Sequence, residues 1–191
     1  PAITCPSNQT AECTGPTGAA VSFSPTVSDN CSVGAPSCTP ASGSTFPIGS
    51  TPISCSATDG SGNSSSCSSS VTVRDTTAPD ISAVAASPNV LWPPNHKMTP
   101  VTVAVSTSDI CDAAPVCKIT SVSSNEPVNG TGNGDKEPDW QITGNLTVNL
   151  RAERAGSGSG RIYTIAVGCT DAAKNSSTKT TTVTVPHDQG K

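Results

Sequence analysis

The run SDNCSVGAPSC, residues 28–38, returns as SDICDAAPVC, residues 108–117. A second match follows it: ISCSATDGSGNSSSCSSSVTVRD at 53–75 is echoed by AVGCTDAAKNSSTKTTTVTVPHD at 166–188. An acidic loop between two cysteines, a strand, an acidic turn and a closing Thr/Ser/Val strand thus occur twice in one order. Self-similarity of this kind predicts two units of one fold in tandem. The run RDTTAPDI at 74–81 makes a stiff, extended linker of Asp, Thr and Pro. The first domain is therefore expected over 1–76 and the second over 77–191. The stretch from Cys117 to Cys169 is much longer than that from Cys38 to Cys55, which gives the second domain an insertion, with an inserted loop at 128–140.

The strands are short and alternate. Val101, Val103 and Val105 share one face, as do Leu146, Val148 and Leu150, and Tyr163, Ile165 and Val167. Period two over five to seven residues marks half-buried antiparallel strands. Gly-rich turn signals, DGSGN, NGTGNGD and AGSGSG, separate them. Gly, Pro, Ser and Thr are too dense for any helix. Aromatic residues are only 3% of the chain, so apolar packing falls to Val, Ile and Ala in small cores between sheets. These features predict an all-β chain of two tandem immunoglobulin-like β-sandwiches.

Nine cysteines in 191 residues, with no C-x-x-C pair, read as a disulfide framework rather than a zinc or thioredoxin-type site. Small cores stapled by disulfides belong to an oxidising compartment, which predicts secretion. No leader peptide is present, so the chain is expected to begin after processing or to be cut from something longer. No apolar run reaches membrane-spanning length, which predicts no membrane insertion, and no basic patch suggests nucleic acid. The net charge of −4 is a weak hint of cations. N-x-[ST] tripeptides begin at Asn8, Asn30, Asn63, Asn129, Asn145 and Asn175. Chance accounts for such tripeptides in so Ser/Thr-rich a chain; a glycoprotein is the alternative.

Residues 1–75 carry ITCPSN, VSDNC, PASGSTFPIGSTPISCSATDGSGN and CSSSVTVRDTTAP, in that order. In these motifs and their spacing the first unit resembles the hyalin repeat (HYR) domain. That resemblance implies an immunoglobulin-like extracellular module, found in tandem, linked to adhesion and without an established catalytic site. The second unit carries LWPPNHKM, SSNEP, EPDW, LRAER and CTDAAKN. It looks like an immunoglobulin-like companion module of bacterial secreted proteins, from which no function transfers. It lacks counterparts of Cys5, Cys13 and Cys67.

Six cysteines allow fifteen connectivities, so geometry must select. In such a sandwich the third strand leaves the end where the chain comes in, and the sixth returns to it. Cys117 opens the third strand of the second unit, in parity with Ile119. Cys169 closes the sixth, in parity with Ile165 and Val167. Their sulfurs should meet across neighbouring strands, giving Cys117–Cys169 and, by the repeat, Cys38–Cys55. Cys5 and Cys67 lie early in the first and last strands, which supports Cys5–Cys67. Cys13–Cys31 follows by elimination, although Cys13 belongs near the far end. An alternative set, Cys13–Cys55, Cys31–Cys38 and Cys111–Cys117, leaves Cys169 unpaired. Cys111 is expected to be left over, either as a covered, inert thiol or as a bridge to another chain. Each bridge adds roughly 2–4 kcal/mol.

Catalytic chemistry is sparse. No nucleophile elbow, zincin or P-loop pattern occurs, so no enzyme and no catalytic residue are expected. His96 with Asp139 and a serine has no supporting spacing; instead Trp92 and Met98 should pack on the sandwich while prolines break the first strand. Asp135, Glu137 and Asp139 alternate like the opening of a calcium loop, but Trp140 stands where a sixth-position Gly is needed and Leu146 where a twelfth-position Glu is needed. The repeated acidic loops are more suggestive. Asp109, Asp112, Asp171 and Asn175 should share one end of the second unit with Asp75 and Asp80 of the linker. Those oxygens suit calcium, although no cofactor is required, and Asx-turns that cap their own backbone are the competing reading. Asp29, Asn30, Asp59 and Asn63 would hold the corresponding end of the first unit.

The function expected is a non-catalytic extracellular structural or adhesion module, a segment or subunit of a surface fibre, filament or matrix protein. Its partners would be other copies of itself or neighbouring immunoglobulin-like domains. The alternative is a carbohydrate-binding accessory module, with glycans stacking on Trp92 and Trp140 beside the loop 129–140.

Overall fold

The computed structural model describes residues 1–128, 137–156 and 159–188, and no helix occurs among them. The chain divides into a first unit, Pro1–Thr77 with Ile110–Ala113, and a second, Ala78–Asp109 with Ala114–Lys191. The excursion Ile110–Ala113 departs from the expected division at residues 76 and 77. It joins the first unit because Cys111 is bonded to Cys13 and is buried in that unit's core.

The first unit holds β1 (Ala2–Thr4), β2 (Gln9–Glu12), β3 (Ala19–Ala20), β4 (Thr26–Ser28), β5 (Ser37–Thr39), β6 (Thr45–Phe46), β7 (Gly49–Thr58) and β8 (Ser64–Arg74). One sheet runs β2-β8-β7-β5; β1 pairs with β4 and β3 with β6. Strand β7 shows why this sequence makes sheet: Ile53, Cys55 and Ala57 are buried while the serines and threonine between them face out. Val71 and Val73 of β8 join the same core, and Phe23 meets Phe46 edge-on at 6.3 Å. Gly18 has φ of 111°, and a Cβ there would collide with the Phe46 carbonyl.

The second unit holds β9 (Asp80–Ser87), β10 (Met98–Ser108), β11 (Val116–Ser124), β12 (Trp140–Gly144), β13 (Thr147–Arg151), β14 (Gly160–Thr170) and β15 (Ser176–Pro186). Its sheets run β12-β13-β10-β9 and β11-β14-β15. Counted within the unit, this is the strand order of an immunoglobulin constant-type sandwich. Val101, Val103, Val148, Leu150, Tyr163, Ile165 and Val167 all point into one core. The insertion supplies β12 and β13; the matching stretch of the first unit has only the two residues of β6. Strand β9 stops before Pro88, ahead of the LWPPNHKM prolines, and Val90 then bridges to Thr184 in parallel. Met98 is half-buried, but Trp92 does not pack down as expected and is 44% exposed.

Four bridges staple these sheets. Cys38 stands directly opposite Cys55 on β5 and β7, and Cys117 opposite Cys169 on β11 and β14; each pair is disulfide-bonded at a Cα separation of 4.0 Å. Cys5 is bonded to Cys67. The remaining bridge overturns an expectation: Cys13 is joined to Cys111, and Cys31 is the free, exposed thiol. The reason is length. Cys13 follows β2, which runs parallel to β8, and its N–H donates to the Arg74 carbonyl at the close of β8. The loop of Cys31 lies at the opposite end, where Val33 bridges to Asp59 and Gly34 donates to the Thr58 carbonyl. Eleven residues of extended strand, roughly 3.3 Å each, separate those ends, far beyond the Cα reach of about 7 Å that a disulfide allows.

Candidate functional site

The acidic turns are built alike in both units. Asp59 accepts from the Ser61 and Asn63 amides through Oδ1, each at 2.9 Å, and from Asn63 Nδ2 through Oδ2 at 2.8 Å. Asp171 repeats this with Asn175, whose backbone N–H reaches Oδ1 at 2.8 Å and whose Nδ2 reaches Oδ2 at 2.9 Å. The backbone closes identically, Asp59 N–H to the Asn63 carbonyl and Asp171 N–H to that of Asn175. Each turn needs a left-handed residue before its Asn: Gly62 at φ 84° in one, Lys174 at φ 78° in the other. Asp29 likewise accepts from the Cys31 amide at 2.7 Å, and Asp75 from that of Thr77 at 3.1 Å. These are Asx-turns, the competing reading of the acidic loops. The Asn63 side-chain amide, with the Asn63 and Ser61 backbone amides, holds the Asp59 carboxyl below its ordinary pKa.

The six residues expected to hold calcium divide between the units. Asp75 and Asp112 belong to the first; Asp80, Asp109, Asp171 and Asn175 belong to the second. Asp80 is exposed at the start of β9, Asp109 and Asp112 are half-buried, and Asp75 and Asp171 are buried. Among the described residues, one group of ligand-type side chains falls within 4.8 Å of one another: Cys13, Asp75 and Cys111. Its two sulfurs form a disulfide, whereas a cysteine ligates metal as the thiolate.

The second unit holds a buried charge cluster that sequence reasoning missed. Arg161, 3% exposed, donates through Nη1 to Asp139 Oδ2 at 2.6 Å, to Glu153 Oε1 at 3.3 Å and to the Tyr163 hydroxyl at 3.2 Å. Its Nε reaches Glu126 Oε2 at 3.2 Å. Arg151 donates to the carbonyls of Pro138 and His96, and the Tyr163 hydroxyl donates to the Arg151 carbonyl at 2.9 Å. His96, at φ 59°, sets Nδ1 3.3 Å from Glu153 Oε2. SSNEP, EPDW and LRAER, scattered in sequence, thus meet around the Arg161 guanidinium, and LWPPNHKM joins them through His96 and Glu153. Burial opposes the Arg161 charge, but its contacts with Tyr163, Glu126 and Asp139 outweigh burial and raise its pKa. Burial pushes the Tyr163 hydroxyl up to about 12. The available signal was parity: Arg161 falls on the same face as Tyr163, Ile165 and Val167, and a charge at an inward strand position needs partners.

Asp135, Asn129 and the rest of 129–136 lie outside the described residues. Trp140 is half-buried, packs against the second unit's core and meets Tyr163 edge-on at 6.3 Å. Of the sequon asparagines, Asn63 and Asn175 are engaged in the acidic turns and Asn8 accepts from the Ser70 amide.

The HYR domain family matches residues 1–73 of this chain. No curated protein matches it. Among solved structures it is similar to the EC1–4 segment of PcdhgB3, at 13% identity and a TM-score of 0.38, over 93% of this chain and 47% of that one, about half its length. It is also similar to the fibronectin(III)-like modules of CbhA from Clostridium thermocellum, at 12% identity and a TM-score of 0.33, over 97% and 94%. The EC1–2 segment of human protocadherin-24 matches at 15% identity and a TM-score of 0.35, over 98% of this chain and 100% of that one.

Proposed function

We propose that this chain is a non-catalytic extracellular structural module, two immunoglobulin-like units in series that space and join neighbouring domains of a surface fibre, matrix protein or adhesin. The observation that carries the reading is the use of cysteine: eight of nine are bonded, in units whose cores hold few large side chains. Bridges of this kind persist in oxidising surroundings and hold small sheets together without large apolar interiors. The HYR match over residues 1–73 supports an adhesion-type setting. Strands β5, β11 and β12 lie at sheet edges, and such edges offer backbone donors and acceptors to a strand of another chain. Calcium is not required in this reading, because the acidic turns are closed by their own amides. Single-molecule pulling tests it. The oxidised chain should resist extension and release only the short segments outside its bridges, and reductant should lengthen each release. A chain that unravels fully at low force with its bridges intact is not a mechanical spacer.

A second reading, glycan binding, is favoured by the exposed indole of Trp92. Its test is fluorescence. Quenching by a soluble oligosaccharide that disappears in Trp92→Ala would support it, and unchanged emission across a panel of oligosaccharides would remove it.

A further inference from the structure

The two units give their loop cysteines different fates. Strands β4 and β10 end at Ser28 and Ser108, and a cysteine follows three residues later in each case, Cys31 and Cys111. The next cysteines, Cys38 and Cys117, both bond straight across to the long strand that precedes the acidic turn. Cys31 and Cys111 therefore occupy one position of the repeated fold. Cys111 is 7% exposed and bonded to Cys13, in the unit that comes first in the chain. Cys31 is exposed and free. Within the first unit, Cys13 and Cys31 stand at opposite ends of β8, beside Arg74 and beside Asp59. One unit thus presents a Cys13-type sulfur where its last strand finishes and a Cys31-type sulfur at the other end.

We propose that Cys31 is a covalent docking point for a second HYR-type unit placed ahead of this one, whose cysteine at the Cys13 position closes the same bridge that Cys111 closes with Cys13. The independent observation behind it is the bonded state of the equivalent residue, Cys111. The step is an ordinary oxidation. The two thiols lose two protons and two electrons, and a small-molecule disulfide accepts them and leaves as two thiols. The inference rests on the serial-module reading but reaches further, since it names the residue and the partner.

The test extends the intact chain at its amino terminus with a second copy of residues 1–78, which regenerates Thr-Thr-Ala-Pro at the join. The protein is oxidised in a glutathione buffer, alkylated and mapped by mass spectrometry. The expected map contains a bridge from the added Cys13 to the original Cys31, and Cys31→Ser leaves the added Cys13 alkylated. Both thiols alkylated, while Cys5–Cys67 and Cys38–Cys55 have formed in each copy, overturns the inference; the serial-module reading then stands on its own pulling test. Where the added copy fails to form those bridges, two full-length variants decide. C31S/C111S and C13S/C111S are mixed under the same oxidation. Excess of the mixed Cys13–Cys31 dimer over both symmetric dimers supports the proposal, and a statistical mixture or no dimer overturns it.

Discussion

The acidic turn shows how one carboxylate can shape a loop without a ligand. Asp59 receives two backbone amides and the Asn63 side chain, which lowers its pKa. A carboxyl whose pKa is depressed in the folded state contributes stability that is present above its unfolded value and is lost as pH falls through the folded one. Asn63→Ala removes the largest cause, so the Asp59 titration midpoint should rise toward the ordinary aspartate value; carboxyl NMR shifts against pH would read this. An unchanged midpoint would mean that the backbone amides alone hold the charge. The same occupancy argues about metal. Chelator or millimolar calcium should leave the melting temperature unaltered, and a calcium-dependent rise of several degrees would show that the turns open to an ion. The repeated Asp and Asn were legible in the sequence as a turn with two candidate uses. The amides that these carboxylates accept were not legible, because both uses employ the same oxygens and differ only in where the amides point.

At the scale of strands, alternation carried most of the information. The inward faces of β10, β13 and β14 follow directly from Val, Leu, Ile and Tyr at every second position. The buried charge cluster does not, because its members come from the loop after β9, the segment after β11, the residue before β12, the segment after β13, and β14. No local pattern joins them; only the fold does. Arg161 is the hub, and removing one partner of a buried ionic group leaves the rest desolvated and uncompensated. Arg161→Ala should lower unfolding stability by about 3–5 kcal/mol in urea titration. Arg161→Lys should recover only part, since one ammonium cannot reproduce a fork that meets Asp139 and Glu153 through Nη1 and Glu126 through Nε. A loss under about 1 kcal/mol for the alanine variant would show that water already screens the cluster.

For the whole molecule, the repeat was legible and one covalent link across it was not. Elimination confined every bridge to its own repeat, so Cys13 was left with Cys31, at the wrong end of β8. The bridge that exists, Cys13–Cys111, joins residues 98 apart, whereas Cys38–Cys55 joins residues 17 apart. In the chain-entropy view a bridge stabilises by restricting the unfolded chain, about 3 kcal/mol for a loop near 15 residues and about 4.7 for one near 100. Cys13→Ser with Cys111→Ser should therefore cost roughly 1.5 kcal/mol more than Cys38→Ser with Cys55→Ser. That ordering assumes that the enclosed chain is unfolded when the first unit is. The Cys13–Cys111 loop contains β9 and β10, strands of the second unit's core, while the Cys38–Cys55 loop lies wholly in the first. If the second unit stays folded while the first melts, the effective loop shortens and the advantage of the long bridge shrinks or vanishes. Paired denaturation curves of the two double variants, followed by Trp emission for the second unit and far-UV dichroism for both, separate the cases. The expected result is the larger loss for the long bridge with coincident transitions. A smaller loss with split transitions would show that the two units unfold independently.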